Sequence, residues 1–303
     1  MINESAAGAT SLPDWVAAVA REANEATDQR LGTLARIDAA SRARGIESVE
    51  LFEVVTLGRV CRDEQSIRNT GQSGFGMLTS TSSHGCVVLG HDNLEVECHG
   101  LALTHIDGLN HFGVNGTWHG RIPIGDAASP SIADWASSGV VTRGVFLDIP
   151  AVRSTEWVDA NFPVTSGDFE AAVQAAGVTL AEGDALLIYM GRDRYEAAGH
   201  KLEPLTISRA TRPGIGEDGA RWLAKQRISA IAWDFLDAHH PAEVPHPVHF
   251  LIWALGLALV DNCDFARARS LVTSKQKHTG LLVVSPLNVP GGTGSVVNPT
   301  YVV

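Results

Sequence analysis

The run Thr104-His105-Ile106-Asp107-Gly108-Leu109-Asn110-His111 places an imidazole, a carboxylate and a second imidazole within seven positions. If residues 101–107 are extended, His105 and Asp107 project to one face and Thr104 and Ile106 to the other. That arrangement offers two ligands to one metal ion from a single strand; the plainer alternative is a buried His–Asp hydrogen bond. His111 lies six positions beyond His105, roughly 20 Å along a straight strand, so it joins them only if the chain turns. Gly108-Leu109-Asn110 supplies the Gly and Asn that a turn prefers.

A second concentration of chemistry runs from Asp237 to His249, where His239, His240, His246 and His249 fall within eleven residues. The first three read as solvated loop histidines. His249 instead opens Phe250-Leu251-Ile252-Trp253-Ala254-Leu255, a helix apolar on all sides and hence buried. Asp261 lies twelve positions later, roughly 18 Å away on an unbroken helix, too far to share one small site. A left-handed Gly256 would end the helix, after which Leu257, Leu259 and Asp261 alternate as an extended return. The four cysteines, Cys61, Cys86, Cys98 and Cys263, form no C-x-x-C pair and read as small core residues.

Positioning these groups requires a sheet. Residues 14–44 read as one or two amphipathic helices, with Ser11 to Asp14 as a cap. Residues 50–62 read as a strand, 68–76 as a long polar loop, and 84–107 as two strands about a turn at Gly90 to Asn93. A short helix at 132–138 and a strand at 140–149 follow. From residue 165 the rhythm is α/β: helix 165–176, strand 185–190, helix 218–226, strand 228–234, and a last strand at 281–285. The expected fold is α/β, a mixed central β-sheet with surrounding helices and an N-terminal helical extension. Residues 1–45 form that extension, and 46–303 the catalytic domain.

The 303 residues, 45% of them hydrophobic, support a sizeable core, and the net charge of −11 argues against nucleic-acid binding. The longest apolar run, 250–260, is too short to span a bilayer, and residues 1–13 lack the features of a secretory signal. These readings point to a cytoplasmic protein that acts on a small molecule.

The residues quoted above resemble the metal-dependent cyclase family, which includes bacterial kynurenine formamidase and isatin hydrolase. Its motif is His-x-Gly-Thr-His-x-Asp-x-Pro-x-His; Thr104, His105, Asp107 and His111 match it, whereas Leu101, Leu103 and Leu109 do not. The family's late pair, a His and an acid or amide twelve residues apart, corresponds to His249 and Asp261, and Gly294-Ser295-Val296 echoes a C-terminal loop. The resemblance implies a swivelling β/β/α-like fold in a homodimer or homotetramer. It also implies a hydrolase cleaving an amide, cyclic amide, imide or lactone bond by metal-activated water. In formamidase-like members the first motif His helps hold a second ion, and Leu101 stands there, so one divalent ion, Mn or Zn, is expected on His105, Asp107 and Asp261. His111 would act as general base and acid, with His249 steering the water. His99 reads as a core or supporting histidine. A His-x-Asp pair with a distant His also describes the facial triad of non-haem iron oxygenases, and a metal-binding protein without catalysis is a third reading.

Overall fold

The computed structural model describes residues 12–23, 28–62, 74–202, 211–239 and 244–303. The eleven strands are β1 (Val54–Thr56), β2 (Phe75–His84), β3 (Val87–Val96), β4 (His105–Asp107), β5 (Val140–Asp148), β6 (Ala185–Tyr189), β7 (Ala230–Trp233), β8 (Ala258–Asp261), β9 (Thr279–Val284), β10 (Gly294–Val296) and β11 (Thr300–Val302). Nine of them form one sheet in the order β1-β11-β9-β5-β6-β7-β8-β4-β10. Strands β5 to β8 run parallel, and the flanking pairs are antiparallel. The parallel strands β6 and β7 are buried at every residue, as strands covered on both faces must be. This mixed sheet is the α/β fold expected from the sequence, and its parallel centre separates it from the antiparallel jelly roll of the oxygenase reading.

Nine helices cover the described sheet: α1 (Asp14–Ala23), α2 (Ala39–Glu47), α3 (Ile132–Ala136), α4 (Ile149–Arg153), α5 (Ser166–Ala176), α6 (Arg192–Ala197), α7 (Glu217–Lys225), α8 (Phe250–Leu255) and α9 (Ala266–Lys275). Helix α1 buries Trp15, Val16, Ala20 and Ala23, and α2 begins at an Asp38–Ser41 capping box. Between them the chain locks onto the end of α8. Thr33 donates its backbone N–H to the Gly256 carbonyl at 2.9 Å, and its hydroxyl to the Ser229 carbonyl at 2.6 Å. A side chain on Gly32 would come within 2.2 Å of that Gly256 carbonyl. The expected Ser11 cap lies outside the described residues. Among those described, no helix is long and apolar enough to cross a membrane.

The structure corrects four sequence readings. The turn joining the two strands of the 84–107 region lies at Gly85-Cys86, where Gly85 takes φ 60°, and Gly90 sits mid-strand opposite Thr81. Strand β3 ends at Val96 and does not run on into the His105 stretch, which belongs to a different sheet. Phe75 and Gly76, expected in a loop, begin β2; residues 68–73 lie outside the described residues. Of the four cysteines only Cys263 is buried, because Cys61 and Cys86 lie on exposed connections rather than in the sheet.

Candidate metal centre

Strand pairing brings the first ligand candidates together. In the antiparallel register of β4 with β8, His105 lies directly opposite Asp261, so the two side chains share a face with Asp107 two residues on. The helix α8 ends at Gly256 in the left-handed conformation, φ 71°, and the chain returns along β8. His249, the residue before α8, and Asp261 at the end of β8 are thereby folded back upon each other. His111 arrives through the turn that its own N–H closes on the Gly108 carbonyl at 3.0 Å.

The hydrogen bonds fix which ring nitrogens face inward. His105 Nδ1 lies 2.9 Å from the Leu103 carbonyl, which only accepts, so Nδ1 carries the proton and Nε2 presents a lone pair. His249 Nδ1 bonds to Asp237 Oδ2, leaving Nε2 free likewise. The Trp233 indole N–H donates to Asp261 Oδ1, turning Oδ2 toward the histidines. His105 Nε2 stands 3.4 Å from Asp107 Oδ1 and 4.0 Å from Asp261 Oδ2. His249 Nε2 stands 3.7 Å from Asp107 Oδ2 and 3.6 Å from Asp261 Oδ2, and His111 Nε2 3.8 Å from Asp107 Oδ2. Asp107 Oδ2 is buried without a hydrogen-bond partner.

These spacings fit a cation. Ligand atoms about 2.0–2.2 Å from one ion stand roughly 3–3.5 Å apart. Neutral imidazole lone pairs facing carboxylate oxygens at 3.4 to 4.0 Å repel unless a cation, or a proton on the ring, lies between them. A buried carboxylate oxygen with no partner is otherwise costly. His99, His105 and Asp107 form one group with metal-ligand spacing, Asp107, His111 and His249 another, and Asp237, His246 and His249 a third; Asp261, expected as a ligand, falls in none of them, its Oδ2 lying 4.0 Å from His105 Nε2 and 3.6 Å from His249 Nε2.

The electrostatics agree. Burial would push the His105 pKa down, but Asp107 and Asp261 carry it up to about 9. His249 is likewise raised well above the ordinary value, against its burial, by Asp237 and Asp261. Burial alone would raise Asp107, yet His111, His105 and His99 hold its carboxyl well below the usual range. The cluster therefore draws positive charge to itself. His111 differs: burial, helped by His99 and His249, takes it down to about 4, so its ring is neutral at pH 7. Burial beside Asp107 and Asp261 pushes the Cys98 thiol up to about 12, so it offers no thiolate.

The structure brings all five sequence candidates, His105, Asp107, His111, His249 and Asp261, into one pocket. His99 also belongs there as a supporting residue. Its Nδ1 lies 2.9 Å from Asp107 Oδ1, its Nε2 2.9 Å from the Thr293 hydroxyl, and its ring stacks on His111 at 3.8 Å. His239 and His246, expected to be solvated, are half-buried; His239 pairs with Arg212 through the backbone, and burial lowers the His246 pKa. His240 lies outside the described residues. Sequence reading missed Asp237 and Trp233, which orient His249 and Asp261, and Arg192 and Asn262, which hold the chain before β4. Arg192 donates to Asn262 Oδ1 and the Leu101 carbonyl, each at 2.6 Å, and Asn262 Nδ2 to the Gly100 carbonyl at 2.6 Å. Asp237, twelve residues before His249 as Asp261 is twelve after, was the one with a visible signal.

Fold and site together define a mixed α/β protein with a buried His/Asp cluster suited to a metal ion. Residues 78–240, just over half of the chain, match the family model described as Cyclase, and the protein belongs to that family. Among solved structures, a novel cyclase superposes with a TM-score of 0.75 at 20% identity, covering 91% of this chain and 94% of that one. Isatin hydrolase A from Labrenzia aggregata, bound to benzyl benzoate, gives 0.60 at 18% identity over 84% of this chain and 94% of its own. Isatin hydrolase A from Ralstonia solanacearum gives 0.58 at 20% identity over 87% and 94%. A comparison with curated proteins finds no match.

Proposed function

We propose that this protein is a metal-dependent hydrolase that cleaves an amide, cyclic amide, imide or lactone bond of a small molecule. The observation that carries the reading is the unpartnered Asp107 Oδ2, buried and facing the Nε2 atoms of His111 and His249. One divalent ion, Mn or Zn, would be held by His105, Asp107 and Asp261, a mixed imidazole and carboxylate set that suits either. When bound, such an ion acidifies water and polarises a carbonyl oxygen. The chain's own residues supply the rest. His249 Nε2, held as an acceptor by Asp237, takes a hydrogen bond from the attacking water and orients it. His111 is neutral and accepts a proton, then returns it to the leaving nitrogen or oxygen.

Exposure distinguishes the two sides of the pocket. The His111 side chain is 26% exposed, whereas those of His105, Asp107 and Asp261 are 2% or less, so substrate approaches over His111. Phe112 lies beside it, its ring 5.9 Å from those of His246 and His249 and 5.4 Å from that of Phe250. An aromatic wall of this kind suits a flat, ring-containing substrate. A cytoplasmic homodimer or homotetramer completes the reading.

The test is metal analysis of the purified protein, followed by turnover of amides, imides and lactones with and without chelator. One ion per chain and chelator-sensitive hydrolysis are expected. Metal bound without turnover of any of these would leave a binding protein in place of an enzyme.

A further inference from the structure

His246 holds a backbone conformation that its sequence disfavours. The residue before a proline is ordinarily extended, and a non-glycine residue at positive φ is uncommon. His246 precedes Pro247 and nevertheless takes φ 56°. Strain of this kind persists only where the surroundings impose it, and it gathers at sites of function.

The ring so displayed has no partner. Its centroid lies 5.9 Å from those of Phe112 and His249, and one of its nitrogens stands within 4.8 Å of ligand atoms of Asp237 and His249. Half-buried as it is, the ring makes no hydrogen bond among the described residues. The Asp237 carboxylate beside it is already engaged, Oδ1 by the Val248 N–H at 2.6 Å and Oδ2 by His249 Nδ1. Burial lowers the His246 pKa, with Asp237 opposing and His249 and Arg212 adding, so the ring is neutral at pH 7 and has one N–H to donate.

Arg212 adds charge to this corner. Paired with His239 through the backbone, it donates Nε and Nη2 to the Asp237 carbonyl at 3.1 and 2.8 Å. It is 5% exposed, forms no ion pair among the described residues, and leaves Nη1 buried without a hydrogen-bond partner. Burial pushes its pKa down to about 10 against Asp237 and Asp261, so the guanidinium stays charged at neutral pH. A buried cation held only by a neutral carbonyl is costly until an anion joins it.

We propose that His246 and Arg212 form an anion subsite beside the metal centre, which takes a carboxylate carried by the substrate; that the ligand is a substrate rests on the hydrolase reading above. His246 donates its N–H to the carboxylate, and Arg212 supplies the opposing charge. Phe112 offers its face to the ring that joins the carboxylate to the scissile bond. A cation is the other ligand that the spacing of Asp237, His246 and His249 could attract. The charge on Arg212 repels a cation, and Asp237 and His249 Nδ1 are already bonded to each other, so the anion is favoured. Substrates with an acidic group remote from the scissile carbonyl are thereby selected over neutral ones.

The experiment is isothermal titration calorimetry on the full chain, loaded with its ion, with isophthalate and benzoate as probes. Both are flat and carry a carboxylate, and only isophthalate has a second one, too distant from the first to chelate one ion. The wild type should bind isophthalate about tenfold or more tightly than benzoate, the scale of one charge-assisted hydrogen bond. His246→Leu and Arg212→Met should each shrink that preference to about threefold or less, and His246→Gln, which keeps a donor, should retain more of it. Circular dichroism checks each fold; should Arg212→Met fail to fold, His246→Leu decides. Isophthalate that binds no tighter than benzoate, or not at all, overturns the proposal, as does a preference that survives His246→Leu. Two ions per chain in the wild type, falling to one in His246→Leu, overturn it in favour of a second cation. Turnover enters none of these readouts, so a chain that hydrolyses no amide, imide or lactone would sink the hydrolase reading and leave the subsite to be judged by binding alone.

Discussion

Asp107 is the residue on which the centre turns, since it is fully buried and leaves one oxygen without a hydrogen-bond partner while His99 holds the other. Around it the roles separate by which nitrogen carries a proton, and this makes two substitutions informative. His111→Ala removes a neutral, partly open imidazole facing Asp107 Oδ2 and leaves the proposed ligands untouched. Turnover should fall by about 10²-fold or more while metal content measured by emission spectrometry stays near one ion per chain. Surviving activity would refute the acid/base assignment. Asp237→Asn acts at one remove. Asp237 accepts both the Val248 N–H and His249 Nδ1, and an amide offers only one acceptor where two are needed. His249 would be driven to its other tautomer, with a proton on Nε2 aimed at the carboxylates. Activity should fall about 10- to 100-fold with the pH profile of kcat altered, and an unchanged profile would reduce Asp237 to a structural role.

At the level of elements, the sequence announced some pieces and concealed others for physical reasons. The α8, Gly256 and β8 return was legible because a glycine after an apolar helix has one strong reading, and the structure gives it φ 71°. The parallel strands β6 and β7 were legible from the α/β rhythm that begins near residue 165. The hairpin turn was misplaced because Gly90 to Asn93 has turn composition, whereas the pairing of Phe75 with Val96 that fixes the register lies outside any local window. Likewise the bend before β4 depends on Arg192 and Asn262, about 90 and 160 residues away, which no spacing rule reaches. The joint between Gly32 and Gly256 belongs to the same class of long-range facts. An alanine at Gly32 would drive its Cβ within 2.2 Å of the Gly256 carbonyl at φ 57°, and should cost about 3 kcal/mol or more. Gly177, at φ 64° with nothing near its absent side chain, supplies the comparison: alanine there should cost only about 1 kcal/mol. Equal losses in urea melts of the two variants would show that the contact with α8 does not carry weight.

For the whole molecule, acid and metal removal test different parts of the fold. The α4–α5 corner is clamped by Arg153, whose Nε and Nη2 reach Asp168 at 2.7 and 2.5 Å. Burial would raise the Asp168 pKa, but Arg153 and Thr165 hold it below the usual value. Its contribution is therefore present above the unfolded pKa near 3.9 and is lost as pH falls through the lower folded value. Asp168→Asn should cost about 1 kcal/mol at pH 7 and progressively less in acid, converging with the wild type once the pH passes below the depressed folded value.

The metal centre should behave otherwise. Asp107 and Asp261 are buried on β4 and β8, toward one edge of the nine-stranded sheet, and Asp237 is buried too; an ion there that binds the folded state alone stabilises the whole cooperative unit. At a free-ion concentration 100-fold above Kd the gain is about 2.7 kcal/mol. A chelator at neutral pH should then lower Tm by about 5 °C or more, and added Mn or Zn should restore it. His105→Ala, having lost one donor, should melt lower and respond little to either. A wild-type Tm indifferent to chelator and metal alike would mean that the histidines satisfy these carboxylates by protonation, the state toward which the raised His105 and His249 pKa values lean when no ion is bound.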